Sequence, residues 1–263
     1  MAFWTRLHAM TVIPAFMVFL GCAVVLARIF RNETETMKLL PIRIIAVVLV
    51  FIEIIKQWQS AKDGYSLYHL PFHFCSMFVF LFPVFAFYMG KHKQEVRIFT
   101  VVACMMLFMF MLLAPNTIYS DTSISEFFTD FFSFHTVFFH NIVILGFFYI
   151  VAVGLYDINT LRDYKAGFVL FSIYSAIACV MSQVLKENFN SFYTCKLDAL
   201  EVVRQNLVDK IDWVGQLIYV FCLYALTVLF GLLCYWLFRW GIKLIKIISD
   251  KLKRDGNVNK IKN

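Results

Sequence analysis

The stretch "YHLPFHFCSM", residues 68–77, puts His69, Pro71, His73 and Cys75 within seven positions at the head of a long apolar run. A cysteine attacks as its thiolate, which at neutral pH needs a base or a positive neighbour. If a helix begins at Pro71, where its missing N–H costs nothing, Cys75 lies four residues in. His73 then points about 200° away from Cys75 around the helix. The base must come from another segment, and His140 is the candidate. Glu53 could orient that imidazole as the third member of a triad does. His73, Gln57 (one turn after Glu53) and Asn141 (beside His140) complete the supporting set. Two other chemistries stay open. His69 and His73, four apart, would share a helix face, and His140 would make a three-histidine zinc site, although no HExxH glutamate is present. The same polar groups could also be interhelical glue, worth about 0.6 kcal/mol per contact. His92 and His135 read as a solvated side chain and as helix packing.

The elements that must carry these residues are membrane helices. Of 263 residues, 61% are hydrophobic and 31 are Phe. That composition excludes a soluble domain of this size. Apolar blocks of about 20 residues, enough to cross a bilayer, fall at roughly 8–29, 39–60, 70–90, 97–115, 132–155, 167–186 and 213–238. The expected fold is an all-α, polytopic bundle of seven transmembrane helices over 1–238, with a basic tail at 239–263. With seven spans, one side of the membrane carries 17 Lys and Arg and the other 7. The positive-inside rule then places the N-terminus outside and the C-terminus in the cytoplasm.

Depth follows from that orientation. Cys75 enters from outside, as does His140 in the fifth span, while Glu53 and Gln57 approach the same level at the end of the second. At 1.5 Å per residue, Cys75 is about 6 Å and His140 about 12 Å below the start of its helix. Ser182, Gln183, Asp212 and Gln216 mark the same outer third. Ionisable groups inside a membrane default to a functional hypothesis, and their convergence from five helices favours a site over scattered glue.

Two further segments are amphipathic. Leu197, Leu200, Val203 and Leu207 give residues 195–213 one apolar face, which predicts a short helix lying over the site. In the tail, Ile242, Ile245, Ile248 and Leu252 alternate with Lys243, Lys246 and Lys251, a pattern suited to anionic lipid. The first block is too long for a signal peptide and lacks a cleavage site. The seven cysteines have no metal-type spacing, and no Walker motif, dinucleotide fingerprint or repeat is present.

The segments "LPFHFC" at 70–75, "FIEIIKQW" at 51–58 and "FFHNIVILGFFYIVAVGLYD" at 138–157 resemble the YwaF-like integral membrane family and its LP-x-H-x-C motif. A vertebrate relative of that family, transmembrane protein 164, is regarded as a cysteine acyltransferase acting on lysophospholipids. The resemblance implies Cys75 as nucleophile, His140 as base, and Glu53 and His73 in support. Asn141 stands where Gly is common in the family, and "NFNSFY" at 188–193 echoes an Asn-Tyr motif after its sixth helix. The expected activity is transfer of a fatty acyl chain from a phospholipid donor to a lysophospholipid or other lipid acceptor through an acyl-cysteine. No cofactor and no nucleic-acid partner are expected. The alternatives are a zinc-dependent lipid hydrolase and a non-enzymatic lipid- or solute-binding protein or transporter. The expected location is an integral, multi-pass one, in the plasma membrane if the source is bacterial.

Overall fold

Long apolar runs without enough polar residues to coat a surface must satisfy every backbone group internally, and helices do so within one segment. The computed structural model describes residues 4–62, 64–195 and 198–261, and among these there are helices and no strands. In chain order they are α1 (Arg6–Phe30), α2 (Glu35–Lys38), α3 (Leu40–Lys62), α4 (Phe78–Phe87), α5 (Lys93–Leu113), α6 (Asp121–Ser125), α7 (Phe131–Val153), α8 (Thr160–Leu185) and α9 (Asp198–Ile261). Five are long and apolar enough to cross a bilayer: α1, α5, α7, α8 and the Leu200–Ile247 part of α9. Of the other two expected spans, α3 has the length but carries Arg43, Glu53, Lys56 and Lys62. The apolar helix Cys75–Phe87 is short. The molecule is an all-helical, integral, multi-pass membrane protein.

Two groups of helices meet along α5. On one side α7 packs against α1 and α3, and α4 lies against α3; on the other, α8 and α9 pack against α5 and each other. The core is aromatic, with Phe78, Phe82 and Phe85 of α4 almost fully buried. Gly146 of α7 is where α4 comes close, since a Cβ there would collide with the Phe82 ring. Capping residues set the ends of α7 and α8. Asp130 accepts from Ser133 N at 2.7 Å, and Asn159 accepts from Arg162 N at 3.3 Å. Gly154, at φ +73°, terminates α7 in the left-handed conformation that glycine adopts freely.

The helix expected from Pro71 does not form there. Leu67–His69 makes one 3-10 turn, Leu70 is extended (φ −59°, ψ 144°), and regular structure resumes only at the 3-10 turn Cys75–Met77 that leads into α4. The cause is local. A proline disfavours the helical conformation in the residue before it, so the turn at 67–69 cannot run on through Leu70. The face that His69 and His73 were expected to share therefore does not exist.

The last helix runs well beyond the expected 213–238. It carries a break at Ile211 and Asp212, where Asp212 has φ +49°. A Cβ on Gly215 would strike the Leu207 backbone, so the 198–210 arm folds back on the start of the long span. The helix expected at 195–213 is thus present, although Leu197 of its apolar face lies outside the described residues. The tail stripe includes the side chains of Ile248 and Leu252, which also lie outside them.

Candidate functional site

α3, α5 and α8 run opposite to α1, α4, α7 and α9, so that one end of the bundle gathers the start of α1 and the loops 63–74, 114–130 and 186–197. This is the site end, and its polar groups descend from it into the core. On α3, Glu53, Lys56, Gln57 and Ser60 recur at three- and four-residue steps, so they form one polar face. Lys56 Nζ sits 2.7 Å from Glu53 Oε1, with both side chains at most 10% exposed. Gln57 Nε2 donates to the same Oε1 at 2.7 Å and to the His69 carbonyl at 2.7 Å. Its carbonyl accepts from Tyr65 Oη at 2.5 Å. His69 Nδ1 meets Ser60 Oγ at 2.7 Å, and the ring stacks on Phe132 of α7 with centroids 4.5 Å apart.

Glu53 therefore does not serve His140. Its second oxygen, Oε2, faces His135 Nε2 at 3.3 Å, close enough to pair electrostatically but off-line for a hydrogen bond. His135, which spacing assigned to packing, is the imidazole at the carboxylate. Lys56, which entered the sequence reading only as a loop charge, is the cation there. The Glu53–Lys56 spacing of three is a helical ion-pair signal already visible in "FIEIIKQW".

His140 is held differently. Its Nδ1 lies 2.5 Å from the Thr136 carbonyl. A carbonyl only accepts, so Nδ1 carries the proton and Nε2 of the neutral ring carries the lone pair. That Nε2 is buried and has no hydrogen-bond partner. The ring is fenced edge-on by Tyr119 and Phe139 at 5.7 Å each. Asn141 turns away and donates to the Val137 carbonyl at 2.8 Å, so it does not join the site.

Cys75 lies level with His140. α4 and α7 run in the same direction from the site end, and Phe82 abuts Gly146. Seven residues back from Phe82 is Cys75, and seven back from Gly146 is Phe139, so Cys75 and His140 agree in depth to within about one turn, ~5 Å. Seven residues also return Cys75 to the face of α4 that Phe82 turns to α7. His140 sits about 120° around α7 from Gly146, toward Tyr119.

The loop bearing Cys75 is clamped from the far side of the molecule. Asn190 Oδ1 accepts from Phe74 N at 2.5 Å, and its Nδ2 donates to the Phe72 carbonyl at 2.9 Å and to Tyr174 Oη at 2.8 Å. Tyr174 Oη in turn donates to the Phe72 carbonyl at 3.0 Å. Asn190 and Ser191 both have positive φ, 54° and 62°, a conformation that asparagine adopts more readily than most residues. His73 bonds the Tyr68 carbonyl through Nε2 at 2.9 Å and packs against Tyr68 and Phe189. It braces the loop. The clamp loop is itself anchored by Gln183 Nε2 to the Phe192 carbonyl at 2.7 Å and by Gln216 Nε2 to the same oxygen at 2.9 Å. Asn190 and Tyr174 escaped sequence reasoning, although the echo in "NFNSFY" contains the former.

His69, His73 and His140 each bond a different partner, and among the described residues no three His, Cys, Asp or Glu side chains are grouped to hold a metal. All seven cysteines are free. Beside Phe74 and Met77, which flank Cys75 in the chain, opens a cavity of about 490 Å³ walled by α5, α8 and α9. A second, polar cavity of about 330 Å³ lies under the 198–210 arm, among Gln183, Arg204, Asp212 and Gln216.

No curated protein and no solved structure matches the chain. A family model described as the TMEM164 family matches residues 3–238. Spanning nearly the whole bundle, Cys75 loop and clamp loop included, that match shows that the chain belongs to the TMEM164 family.

Proposed function

We propose that the protein is a lipid acyltransferase with Cys75 as nucleophile and His140 as base. The observation that carries this reading is the His140 ring. Its donor nitrogen is fixed on a backbone carbonyl, and its lone-pair nitrogen is buried and unpartnered. Burying an acceptor without a partner costs about 1–3 kcal/mol, and on this ring it leaves a lone pair free to take a proton.

In the first half-reaction His140 Nε2 takes the Cys75 proton, and the thiolate attacks the ester carbonyl of a phospholipid. The carbon–oxygen bond breaks, the leaving alkoxide collects the proton from His140, and a lysophospholipid departs from an acyl-cysteine. In the second, an acceptor hydroxyl gives its proton to His140 and attacks the thioester, and the thiolate leaves and is reprotonated. Glu53, Lys56 and His135 form a fixed charge arrangement beside this unit. We place the site in the outer leaflet, on the strength of the positive-inside count.

The test is intact-protein mass spectrometry after incubation in vesicles of defined phosphatidylcholine. An acyl-sized mass gain that maps to Cys75 and disappears on adding lysophospholipid is the expected result. No gain on wild-type protein, with Cys75 still reactive toward a thiol probe, would sink the reading. The cavity beside Cys75 also favours a non-enzymatic lipid-binding role. That role predicts bound lipid without any covalent adduct.

A further inference from the structure

We propose that the cavity between α5, α8 and α9 is the acyl-chain site, holding the chain carried on Cys75, and that Gly167 and Gly231 set the chain length it takes. This rests on the acyl-transfer reading and adds what the transferred group must be: a chain of bounded length lying along the bundle axis.

The first argument is chemical. Thr227, Asp163 and Tyr235 on the cavity wall are already engaged. Thr227 Oγ1 donates to the Leu223 carbonyl at 2.8 Å. Asp163 is bound by Arg162, by Asn159 N and by Tyr235 Oη, at 2.9–3.2 Å. Such a wall offers little to a polar solute, and hydrocarbon is what it fits. The second argument is position. Phe74 and Met77, on either side of Cys75 and Ser76 in the chain, line one end of the cavity, so it begins at the turn that carries Cys75.

The third argument is length. Tyr174 of α8 is bonded to the Phe72 carbonyl, which fixes the level of the Cys75 loop on that helix. Asp163, at the cavity's far end, lies eleven residues earlier on α8. At the helical rise this is roughly 16 Å, close to the ~15 Å half-thickness of a bilayer's hydrocarbon core. One leaflet's acyl chain spans that depth. Asp163 and Tyr235 close the end with a polar pair that a methyl terminus would not displace.

The fourth is the shape of the wall. A Cβ on Gly167 would meet nothing within 4 Å, and one on Gly231 would meet only the flexible end of Met106 at 3.4 Å. Both helices would gain propensity from alanine at these positions, and neither backbone needs glycine for its conformation. Their smallness widens the middle of the cavity.

The experiment is a competition. Purified full-length protein in vesicles receives an equimolar series of phosphatidylcholines with saturated chains from short to long, and the adducts on Cys75 are weighed. Gly167→Leu and Gly231→Leu should each shift the short-to-long adduct ratio by about tenfold, since excluding two methylenes from an apolar site has about that effect. Gly167→Ala and Gly231→Ala, which fill less space, should move the ratio in the same direction by less and keep the series interpretable if a leucine variant does not fold. Adducts that form with an unchanged length profile in folded leucine or alanine variants overturn the cavity assignment alone. An absence of adducts on wild-type protein overturns the transfer reading, and the chain site with it.

Discussion

The two ends of the bundle handle charge in opposite ways. At the tail end, the ion pairs of Glu35 and Asp157 reach the rim. Arg97 is buried, but its partner Glu35 is 47% exposed, and Arg162 pairs with Asp157, which is 63% exposed. At the site end, both Glu53 and Lys56 are withdrawn from solvent, His135 approaches off-line, and the Nε2 of His140 has no partner. A rim pair is cheap to keep and contributes little. A buried pair is expensive to desolvate, and exchanging it for apolar side chains is often neutral or stabilising. Stability alone would therefore not select the site-end arrangement. The difference is what the proposed reacting centre accounts for.

The sharpest way to break that contrast is at the proposed reacting pair. Cys75→Ala should remove transfer altogether, and His140→Ala should lower it by about 10²–10⁴, the range of general-base contributions. The double variant should be no worse than Cys75→Ala, because members of one catalytic unit are not additive. Transfer assays on folded protein decide this. Additive losses would mean the two residues act separately.

Next in size is the buried pair. Glu53→Gln or Lys56→Met alone should destabilise by about 3–5 kcal/mol, because each strands its partner's charge. Glu53→Leu with Lys56→Leu should recover most of that in thermal unfolding yet remain catalytically impaired. A fully active double variant would reduce the cluster to packing.

The clamp comes third. Asn190→Ala removes three hydrogen bonds at about 1 kcal/mol each. It should slow labelling of Cys75 and lower kcat more than it raises KM. Asn190→Gly, which keeps the positive φ free of strain, should fold better than Asn190→Ala and still label slowly. Equal labelling in both variants and the wild type would mean the clamp does not position the thiol.

The smallest effect belongs to the tail end. Arg97, with Lys93 beside it, holds the Glu35 carboxyl below its ordinary value. A lowered folded-state pKa contributes stability above the unfolded value near 4.5, and this is lost as pH falls through the folded value. Because Glu35 is half-exposed, Glu35→Gln should cost less than about 1 kcal/mol at neutral pH, and nothing at a pH low enough to protonate the carboxyl. A larger loss at neutral pH, measured by thermal unfolding, would erase the contrast between the ends.

How much of this was legible in the sequence varies with the range of the interaction. The all-helical, multi-pass architecture follows from apolar run length, which is local. The start of α4 was misplaced because proline tolerates a first helical turn without enforcing one, and Phe72 and Phe74 are bonded instead to Asn190 of a distant loop. Glu53 was assigned to the wrong imidazole because nothing in its own helix says which residue of α7 lies opposite. The clamp joins Asn190 to residues 116 and 118 positions away, Phe74 and Phe72, and leaves no periodic trace. Helical rise predicts depth well. It is silent on azimuth, and azimuth decides which side chains touch.

Gln216 fastens two things at once. Its carbonyl accepts from Arg204 on the folded-back arm, and its amide holds Phe192 and Tyr193 of the loop that carries Asn190. The arm is thus wired by one side chain to the loop that steadies the thiol, and it lies at the end of the bundle where water begins. A soluble antibody fragment that gripped the arm would pull, through Gln216, on the loop that bonds the turn carrying Cys75.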